Sequence, residues 1–525
     1  MSAAQTVITG ELLIDGAWRA GTAGAMRAFD PVRGEEVGPA FGMATIDDAR
    51  DAARAAAAAF PAFRALEPAA RAAFLRSIAD GLDEARDALV ERALVETGLP
   101  EARLVGEVAR TSGQMRLFAD VLDRGTAEGI RIDPALPDRA PAPRLDIRQR
   151  KVPLGPVVVF GASNFPFAFS NGGGDTAAAL AAGCPVIVKA HQAHPGVAEL
   201  VSRVIERAMR EHGLPGGVYQ SLLGSGRDVG TALVKDARVK AVGFTGSRSG
   251  GLALVRAAQD RPEPIPVYAE MSSINPVFVL PSAADGTLGE GFVGSLTLGA
   301  GQFCTNPGLV FVPRDPAGDA FVDAAVAAVR RAVGQPMLTR GIHDAFQSGC
   351  QRLATVATEI ARGTRGPGPC APAPRLFEAH LEQFLARPEL SEEVFGAAAL
   401  LVRYDDAERL PEVASRLEGQ LTATIHVDPE AEDAAVAARL ATELELRVGR
   451  ILVGGWPTGV EVGHAMVHGG PFPSTSDGRS TSVGSLAIER FLRPVAYQSF
   501  PAALLPRSLR DGTALPRLVD GQPLV

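Results

Sequence analysis

Apolar and polar positions change texture several times along the chain, and each change predicts a different element. From Gly10 to Ala40, short apolar patches alternate with turn formers ("IDGAW", "DPVRGEE"), which predicts hairpins. From Thr45 the period becomes helical. Thr45 followed by Asp48 reads as a capping box, and "DDARDAARAAAAAF" is rich in strong helix formers. A second helix is predicted to open at Glu67-Pro68, because proline lacks the N–H that a first helical turn leaves unpaired anyway. Charged helical sequence continues to about Arg124. Residues 132–150, "IDPALPDRAPAPRLDIRQR", are proline-rich and irregular, then extended, and are expected to form a linker or a protruding arm.

Between 151 and 280 the pattern alternates strand and helix. "GPVVVF" is a continuous apolar run, as expected of a strand buried on both faces. "GDTAAALAAG" reads as helix and "PVIVK" as strand. "GVAELVSRVIERAMREHG" reads as a helix stopped by glycine. "VYQSLL", "VKAVGF" and "PIPVYAE" continue the strands. This alternation predicts an α/β fold with a parallel sheet covered by helices on both faces, and such sheets bind ligands at the carboxyl ends of their strands. A second α/β segment follows residue 280, with helix near 287–299, strand "LVFVP" and helix near 318–332. Residues 450–525 are again rich in turn formers, and no internal repeat is visible.

Composition narrows the function class. The 525 residues are 46% hydrophobic and 21% charged, with a formal net charge of −8. That balance argues against nucleic acid or an anionic membrane as the main partner. No secretory signal or apolar run of about 18 residues is present, and the four cysteines are too sparse for a disulfide framework and lack zinc-site pairing. A cytoplasmic location with no metal site is expected.

Candidate chemistry gathers at the predicted strand ends. Asn164 follows the first buried strand and Lys189 ends the second. Thr245, Gly246 and Ser247 lie between a later strand and a helix, and Glu270 follows the next. "GFTGSRSGG" suits a phosphate at a helix N-terminus, where backbone N–H groups are free, although an ordinary strand–helix turn reads the same way. Taken singly, Lys189, Glu270 and Asn164 also suit a solvated lysine, a surface carboxylate and a turn cap. Cys304 stands in "GAGQFCTNPG", a polar, glycine-rich turn unlike the aliphatic setting of a structural cysteine.

Together these stretches resemble the aldehyde dehydrogenase superfamily. "NFPF", "GFTGS", the Glu270 strand end, "GQFCT" and "EEVFG" occur in that family's order and approximate spacing over nearly the whole chain. The resemblance implies a Rossmann-like cofactor domain (1–139 and 154–271) and an α/β catalytic domain (272–450). It also implies a small β oligomerisation arm (140–153 and 485–506), with 451–484 returning to the active site. It implies Cys304 as nucleophile, Asn164 with the Cys304 N–H as oxyanion donors, and Glu270 as the base that activates water. Lys189 would bind the adenosine ribose, Thr245, Gly246 and Ser247 the pyrophosphate region, and Glu393 with Phe395 the nicotinamide ribose.

Two departures from the common pattern refine the expectation. Gln192 stands where NAD-preferring members often carry a glutamate, and Arg227 is placed to meet a 2′-phosphate, so NADP is expected with NAD also usable. "EMSSINP" replaces the commoner "ELGGK", and the C-terminal "PTGVEVGHAMVHGGPFPSTSDGRSTSVG" differs too. Both resemble the branch containing 2,5-dioxopentanoate dehydrogenases and a bacterial NADP-dependent fatty aldehyde dehydrogenase. By that resemblance His468 approaches the cysteine, and Arg479 is the candidate cation for a dioxo acid's far carboxylate. The implied activity is oxidation of an aldehyde, 2,5-dioxopentanoate or an aliphatic one, in a homodimer or homotetramer. Two rival readings stay open at this level. One is acyl transfer to coenzyme A, against which Glu270 speaks. The other is a cysteine hydrolase built from Cys304 and His468.

Overall fold

The computed structural model describes residues 7–524. The expected capping box starts helix Ile46–Ala65: the Asp48 N–H donates to the Thr45 hydroxyl at 3.0 Å, and the Thr45 N–H donates to the Asp48 carboxylate at 2.8 Å. Pro68 takes the first turn of helix Pro68–Glu84, and helices Arg86–Thr97 and Glu101–Asp123 follow.

The first sheet runs in the order Val267–Glu270, Ala241–Thr245, Val157–Phe160, Val186–Ala190, Tyr219–Leu223, Leu12–Ile14, Ala17–Arg19. The first five strands in that order are parallel, and the N-terminal hairpin adds on antiparallel to them. Alternate side chains divide between two cores. Val157, Val159, Val186 and Val188 pack with helices Pro68–Glu84, Glu101–Asp123 and Pro195–Glu211. Val158, Phe160, Ile187 and Val242 pack with helices Ile46–Ala65 and Arg248–Gln259. Burial on both faces is why these strands read as unbroken apolar runs. Each such side chain contributes on the order of 1.5–3 kcal/mol, so the sheet holds its strand ends in fixed register.

A second sheet is ordered Thr358–Arg362, Arg375–His380, Ala398–Tyr404, Leu309–Pro313, Val277–Val279, Gln420–His426, Val448–Val453, parallel except at its first strand. The third is ordered Leu492–Gln498, Ile147–Pro153, Ile130–Asp133, Arg517–Val519, Gln522–Leu524. It draws on more of the chain than the two expected arm segments. Ile130 and Ile132 alternate inward onto Leu505 and Leu509, a small core whose two halves lie far apart in sequence.

The segment after residue 450 returns to the first sheet. The Met271 N–H donates to the Ser474 carbonyl at 2.7 Å and the Ala269 N–H to the Ser476 hydroxyl at 2.8 Å, so this segment runs beside the Glu270 strand end. A buried pair, Arg490 with Asp175 at 2.6 Å, locks it in place.

Candidate active site

The sheet register gathers the strand-end residues. Phe160 pairs with Lys189, Phe244 with Phe160, and Thr245 with Glu270, so Lys189, Thr245 and Glu270 sit at the carboxyl ends of neighbouring or near-neighbouring strands. Cys304 comes from elsewhere. Helix Gly286–Thr297 is followed by Gly299, Ala300 and Gly301, all with left-handed backbone (φ 56°, 60° and 69°). At Gly301 a side chain is impossible, because a Cβ would lie 2.3 Å from the Gly396 carbonyl carbon. Ala300 carries a strain that glycine would avoid. This turn aims Cys304 at the end of the first sheet. Asn275 fixes its backbone: the Nδ2 amide donates to the Cys304 carbonyl at 2.8 Å and to the Asn306 carbonyl at 2.9 Å.

At that point three functional atoms meet. His468 Nε2 lies 3.3 Å from Cys304 Sγ and 2.9 Å from Glu270 Oε1, and the Ser482 hydroxyl donates to Glu270 Oε2 at 2.8 Å. His468 and Glu270 side chains are 2% and 4% exposed, whereas Cys304 is half-buried. Burial pushes the Glu270 carboxyl up, but the contacts with His468, Ser482 and Cys304 outweigh it and hold the group below the usual carboxylate range. Cys304 is driven the other way: burial and the adjoining Glu270 carboxylate push its thiol well up, with Arg110 opposing. The site therefore holds a thiol beside a carboxylate, and a proton acceptor already touches the sulfur's neighbours.

Asn164 lies beside the cysteine turn. Its Nδ2 amide donates to the Gln302 carbonyl at 3.1 Å, and Arg103 Nη2 donates to the Asn164 carbonyl at 2.6 Å. Arg103 is itself sandwiched by Phe165 and Phe303, 5.0 and 4.4 Å from their ring centroids. Among the described residues the Cys304 N–H has no acceptor, so this N–H and the Asn164 amide are the two donors the cysteine turn brings together.

The other expected residues divide clearly. Lys189 is buried with no carboxylate partner among the described residues, and burial pushes its pKa down to about 8. Ser247 caps helix Arg248–Gln259 by accepting from the Gly250 N–H at 3.2 Å and shares a 3.3 Å hydroxyl contact with Ser249, which leaves the first helical N–H groups free. Gln192 and Arg227 are both exposed, just past the ends of the adjacent strands Val186–Ala190 and Tyr219–Leu223. Glu393 accepts from Ser272 and from the Ser273 N–H, and burial raises it to about 7. With Phe395 it lines a cleft that Phe303 and Ser273 share. A buried lysine without a counter-ion, a capped but open helix start and an exposed arginine suit a dinucleotide's phosphates and riboses. Arg479 is a correction. It is 93% exposed and bonded to Asp477 at 3.2 Å, because the turn at Gly478 lets the nearby carboxylate capture it.

The aldehyde dehydrogenase family model matches residues 18–362. The chain belongs to that family. It is 55% identical over 98% of its length, and 99% of the relative's, to alpha-ketoglutaric semialdehyde dehydrogenase 2 of Azospirillum brasilense. It is 46% identical to alpha-ketoglutaric semialdehyde dehydrogenase of Acinetobacter baylyi, over 98% of each chain. The solved aldehyde dehydrogenase of Brucella melitensis biovar abortus superposes with a TM-score of 0.80 over 95% of this chain and 98% of its own, at 23% identity. The expected α/β aldehyde dehydrogenase fold is thus the fold found. No helix among the described residues is long and apolar enough to cross a membrane.

Several residues of this aldehyde dehydrogenase site escaped sequence reading. Asn275 and Ser482 lie inside the distinctive "EMSSINP" and C-terminal stretches without standing out there, and Arg103 and Glu107 carry no motif of their own. Glu107, buried, accepts from the Phe167 and Ala168 N–H groups at 2.9 and 3.1 Å and so shapes the "NFPF" loop that carries Asn164. The one signal available was periodicity: Arg103, Glu107 and Arg110 recur at helical spacing on Glu101–Asp123, which turns three charges toward one face.

Proposed function

We propose that this enzyme oxidises 2,5-dioxopentanoate, the semialdehyde named by its relatives, to 2-oxoglutarate, with NADP as the preferred acceptor and NAD as a second one. The observation that carries the reading is the meeting of Cys304, Glu270 and His468, whose functional atoms lie within 4.8 Å of one another.

The chemistry follows from the geometry. The Cys304 thiol is protonated at rest, and its proton passes to the Glu270–His468 pair. The thiolate attacks the aldehyde carbon, forming the C–S bond as the carbonyl oxygen takes the negative charge. Asn164 and the Cys304 N–H donate to that oxygen. Nicotinamide, when bound, would accept the hydride that this carbon loses as its C=O re-forms, which leaves the acyl group on Cys304 as a thioester, and the Glu270–His468 pair passes the thiol's proton to solvent. Glu270 then takes a proton from water, which attacks the thioester carbon and expels the Cys304 thiolate, leaving the carboxylic acid. Lys189, Thr245, Gly246, Ser247, Glu393 and Phe395 hold the cofactor, and Gln192 with Arg227 favour a 2′-phosphate, since neither repels it.

The cofactor-binding unit is 1–139 with 154–271, the catalytic unit 272–450, and 451–484 returns to the site. The third sheet, including 140–153 and 485–506, is the arm through which two or four copies assemble, its edge strand pairing across subunits. Light scattering that finds only monomer overturns that assignment. A net charge of −8 supports an enzyme without a nucleic-acid partner, and four unpaired cysteines support a cytoplasmic one.

Initial rates of NADPH and NADH formation test the reading, with 2,5-dioxopentanoate, pentanal and dodecanal as substrates. The dioxo acid should exceed pentanal in kcat/KM by about tenfold or more, the scale of one satisfied charged contact. A preference for dodecanal makes the enzyme a fatty aldehyde dehydrogenase instead. No reduction of either cofactor by folded protein leaves the cysteine hydrolase. Arg227→Ala should raise KM for NADP and spare NAD; equal effects overturn the NADP preference.

A further inference from the structure

Most guanidinium groups inside this protein have partners. Arg490 pairs with Asp175, Arg261 donates to the Val234 and Val239 carbonyls, and Arg103 donates to Asn164. Arg110 differs. Its Nε and Nη2 are buried, yet neither donates a hydrogen bond among the described residues. Burial lowers its pKa from the ordinary arginine value, although Glu107, Cys304, Glu461 and Glu270 all act to raise it. Glu107 and Glu461 face it, but neither comes within ion-pair range, and the Glu107 Oε1 is already committed to the Phe167 and Ala168 N–H groups. A buried cation with unmet donors costs stability, and among the described residues the surrounding acids and the Phe169 ring offset that cost only in part.

Its position suggests what offsets the rest. Arg110 lies over the Phe169 ring, 5.5 Å from the centroid, and that ring is 6.1 Å from the His468 imidazole, which touches Cys304. It is the positive charge set against Glu270 and Glu393 at the sulfur. Phe165, Phe169 and Phe303 form a continuous aromatic wall here, with centroids 5.3 and 5.5 Å apart. An aromatic wall leading from the nucleophile to two unmet N–H donors fits a short chain with an aldehyde at one end and an anion at the other. In 2,5-dioxopentanoate the carboxylate carbon lies about 5 Å beyond the aldehyde carbon, four C–C bonds of roughly 1.5 Å in zigzag.

We propose that Arg110 binds the substrate's far carboxylate through Nε and Nη2, the role that Arg479 is too exposed to fill, and so selects carboxylated aldehydes. This rests on the dioxo acid reading above. Two adjacent guanidinium donors match the two oxygens of a carboxylate.

The test compares Arg110→Gln and Arg110→Lys with the unmodified enzyme on 2,5-dioxopentanoate and pentanal, and measures 2-oxoglutarate binding by calorimetry. In R110Q the ratio of kcat/KM for the dioxo acid over pentanal should fall about 30- to 300-fold, chiefly through KM, with R110K between the two. Calorimetric binding of 2-oxoglutarate should be lost in R110Q. Its melting temperature should stay level or rise, because an unpaired buried charge has been removed. A ratio that shifts by less than about threefold, with 2-oxoglutarate still bound by R110Q, overturns the assignment and leaves the substrate reading standing. Equal loss on both aldehydes together with a lower melting temperature also overturns it, since that marks a structural arginine. If the unmodified enzyme does not prefer the dioxo acid, the substrate reading fails, and the calorimetry alone then decides whether Arg110 is a carboxylate receptor.

Discussion

Replacing Glu270 by Gln removes a negative charge within 4.8 Å of the Cys304 sulfur while keeping the side chain's volume. The carboxylate now works against the thiolate, which is one reason that the thiol stands well above its usual range. At 4.8 Å and an effective dielectric of about 20, two unit charges interact by about 3.5 kcal/mol. Taken whole, that energy is a factor of roughly 300 in thiolate population, since about 1.4 kcal/mol is tenfold. Part of it is offset because His468 loses its carboxylate partner. Alkylation of Cys304 by iodoacetamide at pH 7 should therefore run about 10- to 100-fold faster in E270Q. The assay is clean because the other cysteines are buried, with Cys184 and Cys350 pushed up to about 11. Steady-state turnover should fall in the same variant, because water has lost its base. Alkylation that is unchanged or slower refutes the electrostatic account. It would mean that the carboxylate's help in accepting the thiol proton outweighs the repulsion between its charge and the thiolate.

Other perturbations test separate parts of the site. Asn164→Ala removes one oxyanion donor and should lower kcat by about 10²–10³, with little change in cofactor affinity by fluorescence titration. Glu393 is raised to about 7 in the folded protein from a usual 4.5, so the native state holds a proton that the unfolded chain has lost. Stability therefore declines as pH rises from about 4.5 to about 7, and Glu393→Gln should raise the melting temperature more at pH 8 than at pH 5.5. Equal gains at both pH values would refute that. Lys189 sheds its charge near pH 8, so NADP affinity should weaken between pH 7 and pH 9 more than NAD affinity does. Parallel slopes would exclude Lys189 from phosphate recognition. Arg490→Ala strands Asp175 in the interior and should cost about 3–5 kcal/mol in urea unfolding.

Local physics made much of this protein legible from its sequence. The Thr45–Asp48 box, Pro68 at a helix start and the apolar runs at 157–160 and 186–190 are all short-range signals, and the folded chain follows them. So did the strand-end placement of Lys189, Thr245 and Glu270, because parallel strands buried on both faces have only one way to expose their ends. The ordered motifs around Asn164, Glu270 and Cys304 announced the family before any coordinate did.

Long-range geometry decided the rest. Strand Ile130–Asp133 is too short to stand out in a turn-rich stretch, and it exists because Leu505 and Leu509 cover its apolar face. Arg479 and Arg110 are equally cationic on paper. A two-residue turn ties one to Asp477 at the surface, while helix Glu101–Asp123 carries the other beneath Phe169 and toward the sulfur. That Glu270 opposes the ionisation of Cys304, and that His468 touches both, depends on distances of 2.9 and 3.3 Å across nearly 200 residues of chain. The sequence by itself determined which residues could do chemistry and on which strand ends they stand. Only the tertiary structure decided which of them meet, because burial and charge act through space and fall off within a few ångströms.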